Sequence, residues 1–314
     1  MFRTNSPARA LRSPRVVTIC QERLPGDSDA QRLDFMLERM TFASPRGPDL
    51  VCLPECFLSE PEAPDGTGVA LKKLGAWAKE HRAYVIAAIY TLDGGKKFNS
   101  AVLVDRDGKP VGRYDKMHPT EGELDKGIAP GACEPTVFET DFGRIGCQIC
   151  FDVNWPEGWA QLKEAGAEII FWPSAYPASR RLHAFAWQYQ VYVASATRSG
   201  PSQIVDISGD VLGKSGARSQ WAEAVVHLDK RLFEIDYHIP KARAIEAKYG
   251  SRIEVKWFHE EDWFTLASLD PDLSVDALIE EFDLLPLSRY LPRAEAAQAA
   301  ARKRLAEAGG RTST

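Results

Sequence analysis

Hydrophobic and polar positions follow two different periods along the chain between residues 16 and about 235. Short runs of aliphatic and β-branched residues predict strands, and segments with apolar residues every three or four positions predict helices. Val16–Cys20 predicts a strand, and residues 29–40 predict the helix that follows it. The apolar face of this helix contains Leu33, Met36, Leu37 and Met40. Such alternation is typical of a layered α/β fold.

The same criteria predict the remaining elements of this region. Strands are predicted at residues 49–53, 84–90, 98–104, 111–114, 136–139, 144–150, 168–172, 191–196, 203–206 and 223–228. Helices are predicted at residues 67–81, 157–165 and 180–189. Because an Asp-Gly turn (Asp107-Gly108) separates two β-rich runs, residues 98–104 and 111–114 are expected to form a hairpin.

The C-terminal part of the chain has a different pattern. Residues 229–289 mix helical segments with a further apolar and charged stretch, and residues 292–308 form an Ala-rich helical pattern. Leu305 is the one large apolar side chain of that last helix, so the helix is either solvated or a small-residue contact surface for another subunit. We expect a flexible arm at 1–15, a single domain at 16–290, and a C-terminal helix and tail at 291–314.

Composition restricts the class of protein. The 314 residues are 44% hydrophobic and 26% charged, which is typical of a globular protein. The net charge of -5 argues against a nucleic-acid partner, because phosphate binding needs a basic surface. No apolar run approaches the roughly 18 residues of a membrane-spanning helix, so no membrane partner is expected. Six cysteines are too few for a disulfide framework, which favours a cytoplasmic protein.

The N-terminus contains four arginines, Arg3, Arg9, Arg12 and Arg15, and no acidic residue before Glu22. Such a segment is compatible with an organelle-targeting signal or with a simple arm. Pro7 and Pro14 interrupt any amphipathic helix there, which favours the arm.

Three predicted strands end next to a reactive side chain: Glu55, Lys116 and Cys150. Functional groups of layered α/β folds collect at strand ends and on the loops beyond them. A thiol needs a base to become a nucleophile, and a buried carboxylate can serve. An ammonium group can stabilise the developing oxyanion. The combination of thiol, carboxylate and lysine without histidine indicates acyl transfer.

These residues also carry a family resemblance. LPE at 53–55, YDKMHPTEGE at 114–123 and CFDVNWPE at 150–157 closely resemble the three signatures of the nitrilase (carbon–nitrogen hydrolase) superfamily. Residues 98–116 are similar to the hairpin that precedes the lysine in that family, and the likeness covers roughly residues 16–290. The resemblance implies an α/β protein with a four-layer α-β-β-α sandwich, here with a C-terminal helical extension. It also implies a homodimer or a larger homo-oligomer.

The resemblance assigns roles residue by residue. Cys150 matches the nucleophile, Glu55 the general base and Lys116 the lysine that holds the oxyanion. The backbone amide of Phe151 matches the second oxyanion donor. A second, structural glutamate follows the lysine in this family; Glu123 is the better match for it and Glu121 the weaker one.

Further residues are expected to contact substrate. Ser174 and Tyr176 lie in a segment that resembles the family's pocket loop. His118 is expected either to line the pocket or to make a structural hydrogen bond. Arg180 or Arg181, at a helix start with Ser179 as N-cap, is a hypothetical clamp for a substrate carboxylate. Residues 185–190 depart from the family's Arg-Ala-x-Glu-Asn stretch, so substrate specificity does not transfer.

The cysteines also allow two other types of site, a redox pair and a zinc site. Cys147 and Cys150 have the spacing of a redox pair, but within a strand they would lie about 10 Å apart, too far to bridge. Cys52 and Cys56 could join them in a zinc site, although a buried structural role fits Cys52 better. A non-catalytic binding protein on the same fold would be expected to lack a member of the triad.

The predicted reaction is hydrolysis of a non-peptide C–N bond in a small amide or N-carbamoyl compound, without metal or organic cofactor. Nitrile hydrolysis on the same triad is the alternative. The nitrile-hydrolysing branch resembles a Cys-Trp-Glu sequence at the nucleophile, whereas residues 150–152 read Cys-Phe-Asp and are closer to the amidase and N-carbamoyl-amine hydrolase branches.

Overall fold

The computed structural model describes residues 12–22, 28–217 and 219–309. Contacts within the chain divide it into two compact units, Met1–Leu228 and Asp229–Thr314. This division lies at a different place from the domain bounds expected from the sequence, 16–290 and 291–314, which stay predictions. Residues 1–11 of the expected N-terminal arm and residues 310–314 of the expected tail lie outside the described part of the chain.

The first unit contains two six-stranded sheets. The first sheet has the order β12, β1, β2, β3, β4, β5. Its strands are β1 (Arg15–Ile19), β2 (Leu50–Cys52), β3 (Tyr84–Asp93), β4 (Lys96–Val104), β5 (Pro110–Asp115) and β12 (Trp221–Val225). The second sheet has the order β11, β10, β9, β8, β7, β6. Its strands are β6 (Val137–Glu139), β7 (Arg144–Cys147), β8 (Ile169–Ser174), β9 (Tyr192–Thr197), β10 (Gln203–Val205) and β11 (Val211–Lys214).

Helices accompany these strands in the part of the unit that the structure describes. They are α1 (Asp29–Phe42), α2 (Val69–His81), α3 (Glu121–Leu124), α4 (Pro156–Glu164) and α5 (Ser179–Tyr189). Helix α1 begins at a capping box between Ser28 and Gln31, which satisfies backbone N–H groups that the first turn leaves unpaired. Leu33 and Met40 of its apolar face are buried, as the sequence predicts. The hairpin of β4 and β5 is also confirmed.

Alternation of side chains along the strands explains the layers. In β3, Val85, Ala87 and Ile89 belong to the core cluster that contains the apolar residues of α1 and α2. Ile86 and Ala88 point to the opposite face and are equally buried. A sheet that is buried on both faces must be covered on both. Helices α4 and α5 contribute the corresponding cluster with the second sheet, so the predicted α-β-β-α sandwich is confirmed.

The direction of the parallel strands determines at which edge of the sandwich the loops after them lie. Strands β1, β2 and β3 are parallel, and so are β7, β8 and β9. The backbone N–H of Gln21, just beyond β1, donates to the carbonyl of Thr197 at the end of β9, at 2.9 Å. The carboxyl ends of both parallel sets therefore meet at one edge of the sandwich.

Between residues 229 and 309 the second unit contains a three-stranded antiparallel sheet and three α-helices. The strands are β13 (Lys230–Glu234), β14 (Ile253–Phe258) and β15 (Trp263–Ser268), in the order β13, β15, β14. The helices are α6 (Ile239–Tyr249), α7 (Val275–Glu281) and α8 (Leu287–Gly309). The C-terminal helix was predicted from the sequence; the sheet, like β11 of the first unit, was not.

Helix α8 is polar over most of its length, and its Leu305 is 73% exposed. Within the described ranges, the structure has no helix that is both long and apolar enough to cross a bilayer.

Candidate active site

Glu55 lies three residues beyond the end of β2, in a segment that still follows β3. The N–H of Leu53 donates to Ile86, and the N–H of Cys56 donates to Ala88 at 2.8 Å. These bonds carry the chain past Pro54, which has no N–H to donate. The Glu55 residue is only 3% exposed, so the strand extension delivers a carboxylate into the interior.

Lys116 is the first residue after β5. Its N–H donates to the carbonyl of Asn99 on β4, and its own carbonyl accepts from Gly131, both at 2.8 Å. A Cβ at Gly131 would lie 2.2 Å from the carbonyl oxygen of Asp115, so only glycine permits this close approach. The Lys116 side chain is 1% exposed. Backbone pairing on both sides therefore fixes the point where the ammonium group enters the core.

A buried ion cluster joins Lys116 to two glutamates. Its Nζ lies 2.9 Å from Oε1 of Glu55 and 2.8 Å from Oε2 of Glu123. Nδ2 of Asn99 donates to the same two carboxylates, at 2.9 Å and 2.8 Å. Oε2 of Glu123 also accepts from the N–H of Thr120, in the capping box that begins α3. The cluster thus holds two carboxylates with one ammonium group and one carboxamide.

The opposite charges of this cluster stabilise the ionised forms of its members. Burial lowers the pKa of Lys116, but Glu55, Cys150 and Glu123 raise it, and the net pKa lies above the ordinary value. Burial raises the pKa of Glu123, but the hydrogen bonds from Lys116 and Thr120 lower it by more than burial raises it. The net pKa of Glu123 therefore lies below the ordinary value. Lys116 and Glu123 are therefore ionised at neutral pH.

Cys150 does not lie in a strand, and the prediction of a strand over 144–150 was wrong at its end. Strand β7 ends at Cys147, and Cys150 begins a 3₁₀ turn, Cys150–Asn154. Cys150 has a φ of 45°, a left-handed conformation that costs a non-glycine residue on the order of 1–3 kcal/mol. Nε1 of Trp172 donates to the Cys150 carbonyl at 3.1 Å. The buried indole thus helps to hold the strained turn.

Asp152 ties this turn to the segment around Lys116. Its fully buried carboxylate accepts hydrogen bonds from the N–H of Ile149 and from the Tyr114 hydroxyl, both at 2.8 Å. It also contacts His118 twice, at the backbone N–H and at Nδ1, both at 2.9 Å. Tyr114 and His118 flank Lys116 in the sequence. One carboxylate therefore fixes the position of the cysteine turn relative to the lysine.

The thiol of Cys150 lies within electrostatic reach of the ion cluster. Burial and the charge of Glu55 raise its pKa, whereas Lys116 and hydrogen bonds with Ser174 and the Ala175 backbone lower it; the net pKa is about 11. The thiol is therefore protonated at neutral pH, and its use as a nucleophile requires a nearby group that accepts the proton.

The structure brings several predicted substrate residues to this thiol. Ser174 is buried at the end of β8, and Tyr176, 38% exposed, packs edge-on against Trp172. Cys150 contributes to the raised pKa of Tyr176, after burial, so the phenol lies close to the thiol. Phe151 is the second residue of the 3₁₀ turn, where a backbone N–H has no partner within the helix.

The other residues predicted for the site either make structural hydrogen bonds or are exposed. His118 makes the structural hydrogen bond to Asp152 and stacks on Trp155, with ring centroids 4.0 Å apart. Arg180 is exposed. Ser179 is not the N-cap of α5, because Ala178 occupies that position in a left-handed conformation. Glu121 is exposed on α3, whereas Glu123 turns inward to the cluster.

The sequence interpretation missed Asn99, Asp152 and Trp172. Asn99 stands within a β-rich run, and Asp152 stands inside the cysteine signature between Phe151 and Val153. A polar side chain that is buried in such a run needs partners, and that requirement was the available signal. All six cysteines are free, and within the described residues no three His, Cys, Asp or Glu side chains lie in a metal-binding group.

Comparison with known proteins identifies the family to which the chain belongs. The family model for carbon–nitrogen hydrolases matches residues 15–232, which include Glu55, Lys116 and Cys150. This chain belongs to the carbon–nitrogen hydrolase family. The match ends close to the boundary between the two compact units.

Relatives of this carbon–nitrogen hydrolase include enzymes that act on amides. Omega-amidase NIT2 from Homo sapiens is 32% identical over 256 residues, 70% of this chain and 90% of the relative. Deaminated glutathione amidase from Synechocystis sp. is 27% identical over 240 residues, 65% of this chain and 88% of the relative.

Solved structures support the fold of this carbon–nitrogen hydrolase. Nit3 of Saccharomyces cerevisiae, a member of branch 10 of the nitrilase superfamily, aligns with a TM-score of 0.60 at 22% identity, covering 68% of this chain and 90% of Nit3. An amidase from Nesterenkonia sp. aligns with a TM-score of 0.60 at 20% identity, covering 74% of this chain and 96% of the amidase.

Proposed function

We propose that this protein hydrolyses the C–N bond of a small-molecule amide with Cys150 as nucleophile. The observation that carries the proposal is the buried cluster of Lys116 with Glu55 and Glu123 beside a thiol that is protonated at neutral pH. Such a cluster contains both groups that a neutral thiol needs: a carboxylate to take its proton and a cation to stabilise negative charge.

In the first half of the reaction, the Cys150 thiol gives its proton to Glu55 while the sulfur attacks the amide carbon. The carbonyl oxygen becomes an oxyanion, which the Lys116 ammonium and the Phe151 amide stabilise. When the tetrahedral intermediate collapses, the C–N bond breaks and the proton on Glu55 passes to the departing ammonia. The product is a thioester on Cys150 and an ionised Glu55.

In the second half, Glu55 takes a proton from water as the water oxygen attacks the thioester carbon. The same two donors stabilise the second oxyanion. Collapse then breaks the C–S bond, the acid leaves, and the sulfur recovers the proton from Glu55. Glu123 and Asn99 do not touch the reacting atoms in this scheme; they position Lys116 and Glu55.

Amides are favoured over N-carbamoyl compounds and nitriles because relatives that match most of this chain carry amidase names. The Cys-Phe-Asp sequence at residues 150–152 supports the same choice over nitriles. We further propose that the substrate-binding residues expected from the sequence, Ser174 and Tyr176, line the acyl side of the site.

The test is ammonia release from a panel of aliphatic amides, N-carbamoyl amino acids and nitriles of matched chain length. We expect turnover of amides above the other two classes, and loss of turnover in Cys150→Ala. Cys147→Ala is the matched control, since Cys147 is also a buried thiol, three residues away, but lies inside β7. Its variant should retain activity.

Two results would contradict the proposal. Substantial amide turnover by Cys150→Ala would show that another group is the nucleophile. Absence of turnover across the whole panel, with a folded protein, would favour a binding protein on this fold.

A further inference from the structure

Trp172 is fully buried in β8, and its side chain faces the helices that cover the second sheet. The indole belongs to the apolar cluster that contains Trp159 of α4 and Phe185 of α5. One polar atom of this ring, Nε1, donates to the carbonyl oxygen of Cys150 at 3.1 Å. The carbonyl of the proposed nucleophile therefore points towards the helix layer of the sandwich.

The carbonyl of Cys150 and the N–H of Phe151 belong to the same peptide group. Peptide bonds are trans in the described part of the chain, so this C=O and this N–H point in opposite directions. Because the carbonyl points to the indole, the Phe151 N–H points away from the helix layer. Glu55 and Lys116 follow strands of the first sheet, which lies on that side. The indole thus contacts one side of a peptide group whose other side is turned towards the first sheet.

We propose that Trp172 is a positioning residue for the oxyanion site. Its Nε1–H fixes the plane of the peptide group between Cys150 and Phe151, so that the Phe151 N–H is directed at the oxygen that becomes charged. This inference rests on the proposed amidase function and adds to it a residue that acts through the peptide group. A hydrogen bond to the carbonyl also polarises the peptide group, which makes its N–H a stronger donor.

The turn at Cys150 needs such support. A φ of 45° is unfavourable for a non-glycine residue, so the contacts around the turn must hold its backbone in place. Asp152 accepts from the N–H of Ile149 on one side of Cys150, and Nδ2 of Asn154 donates to the Phe151 carbonyl at 2.9 Å on the other. The indole contacts the peptide group between these two points. An oxyanion donor that is directed in advance needs no rotation when the charge develops.

Trp159 provides a matched comparison within the same apolar cluster. Both indoles are fully buried. Nε1 of Trp159 is buried with no hydrogen-bond partner among the described residues, whereas Nε1 of Trp172 is paired. Replacement of either tryptophan by phenylalanine removes a similar apolar volume. The hydrogen bond to the Cys150 carbonyl is lost in one of the two variants alone.

The kinetic test compares Trp172→Phe with Trp159→Phe on the aliphatic amide that the wild type hydrolyses fastest. Removal of an oxyanion donor lowers kcat by about 10²–10³-fold, and a donor that is present but misdirected should cost less, so we expect a fall of roughly tenfold or more in Trp172→Phe. KM should change by less than about threefold, as expected for an interaction made in the transition state. Trp159→Phe should retain wild-type kcat. Equal kcat in the two variants would overturn the proposal.

Two reagents distinguish a misdirected amide from a displaced thiol. An aldehyde of the same chain length, butyraldehyde for butyramide, adds to Cys150: the C–S bond forms, the thiol proton passes to Glu55, and the carbonyl oxygen becomes the anion. Its inhibition constant should rise in Trp172→Phe by about the factor by which kcat falls. Iodoacetamide alkylates the thiol by displacing iodide from a saturated carbon, without an oxyanion, so its rate should be unchanged. Alkylation that slows by the same factor as kcat would show that the thiol has moved, and would refute the proposal.

A sulfur analogue of tryptophan tests the hydrogen bond without a change of ring shape. Site-specific incorporation of benzothienylalanine at position 172 exchanges the N–H for sulfur and keeps the two fused rings. The same fall in kcat is expected, including where Trp172→Phe does not fold. Wild-type kinetics in this protein would contradict the assigned role of the N–H.

An NMR measurement separates this inference from the proposed reaction. Labelling the cysteine carbonyls with ¹³C and the phenylalanine nitrogens with ¹⁵N marks the two Cys-Phe peptide groups of the chain, 56–57 and 150–151. With benzothienylalanine at position 172, the signal of the 150–151 group should shift and that of the 56–57 group should not. This result requires no turnover and would support the contact even if no amide in the panel were hydrolysed. An unchanged 150–151 signal together with Cys150-dependent amide turnover would refute the role of Trp172 and leave the amidase function intact.

Discussion

Replacing Glu123 by glutamine tests how the buried cluster of Lys116, Glu55 and Glu123 is held together by charge. The carboxylate accepts from Lys116 on both oxygens, from Asn99 on Oε1 and from Thr120 on Oε2. A carboxamide has one oxygen and one NH₂ group. Whichever way it is turned, its NH₂ group faces the Lys116 ammonium and one further donor. At least two hydrogen bonds are therefore lost, together with the negative charge.

The expected loss of unfolding free energy follows from the number of hydrogen bonds lost. Charge-assisted hydrogen bonds contribute about 1.5–3 kcal/mol each, and two of them would give about 3–6 kcal/mol. Lys116 keeps its bond to Glu55 at 2.9 Å, so no charge is left without a partner, and the lower end applies. We expect Glu123→Gln to lower the free energy of unfolding by about 3 kcal/mol. Because Lys116 loses one of its two hydrogen bonds to residue 123 together with the negative charge there, kcat should fall by about 100-fold.

The contribution of Glu123 to the free energy of unfolding depends on pH in a defined direction. The pKa of Glu123 in the folded protein lies below its ordinary value of 4.5. Its contribution to stability is therefore complete above 4.5 and is lost as the pH falls through the lowered folded pKa. The difference in unfolding free energy between wild type and Glu123→Gln should shrink in the same acidic range.

Urea unfolding followed by fluorescence, with kcat measured on the preferred amide, checks these values. Glu121→Gln is the matched control, since it changes an exposed glutamate of the same short helix and should leave stability and kcat unchanged. The reasoning fails if Glu123→Gln is as stable as Glu121→Gln, or if the gap between wild type and Glu123→Gln persists undiminished at acid pH.

Two further predictions concern the cysteine turn. Asp152→Asn should destabilise the protein by about 2–4 kcal/mol and lower kcat, because the NH₂ group of the carboxamide would face hydrogen-bond donors in either orientation. Asp107→Asn changes a residue of an exposed turn and is the control. Equal urea midpoints for the two variants would contradict the prediction. Alkylation of Cys150 by iodoacetamide should accelerate as the pH rises from 7 towards its pKa of about 11, because the thiolate fraction grows with pH. Mass spectrometry of the modified peptide measures that rate, and a profile that levels off near neutral pH would show that the thiol is already ionised there.

Much of the fold could be predicted from hydrophobic periodicity, because the first unit obeys it closely. Strands such as β3 are nearly continuous apolar runs, and the β4–β5 hairpin contains an Asp-Gly turn. The sheet of the second unit was missed although β14 alternates, with Glu254 and Lys256 between apolar residues. The run is only six residues long, and its pairing with β15 in three dimensions decides the outcome.

The catalytic candidates could be predicted as residue types at strand ends, but their partners could not. Lys116 and Glu123 are seven positions apart in sequence, and Glu55 is far from both; only the sheet pairing brings Asn99 between them. The strand assigned to Cys150 was wrong because a left-handed φ in a non-glycine residue leaves no compositional trace. The position of Asp152 in the sequence indicates that it needs partners, but the identity of those partners depends on tertiary geometry.

The hydrogen bonds of Asp152 also have a consequence for how such an enzyme diversifies. The carboxylate joins the turn that begins at Cys150 to the two residues that flank Lys116, so hydrogen bonds hold these segments together as one unit inside the sandwich. Lys126 and Arg198 line a cavity at the edge of the sandwich and lie in loops outside that unit, after α3 and after β9. Mutations in those loops can change the wall of the cavity while the hydrogen bonds of the unit stay in place. The scaffold therefore separates the part of the chain that natural selection must preserve from the part on which it can act.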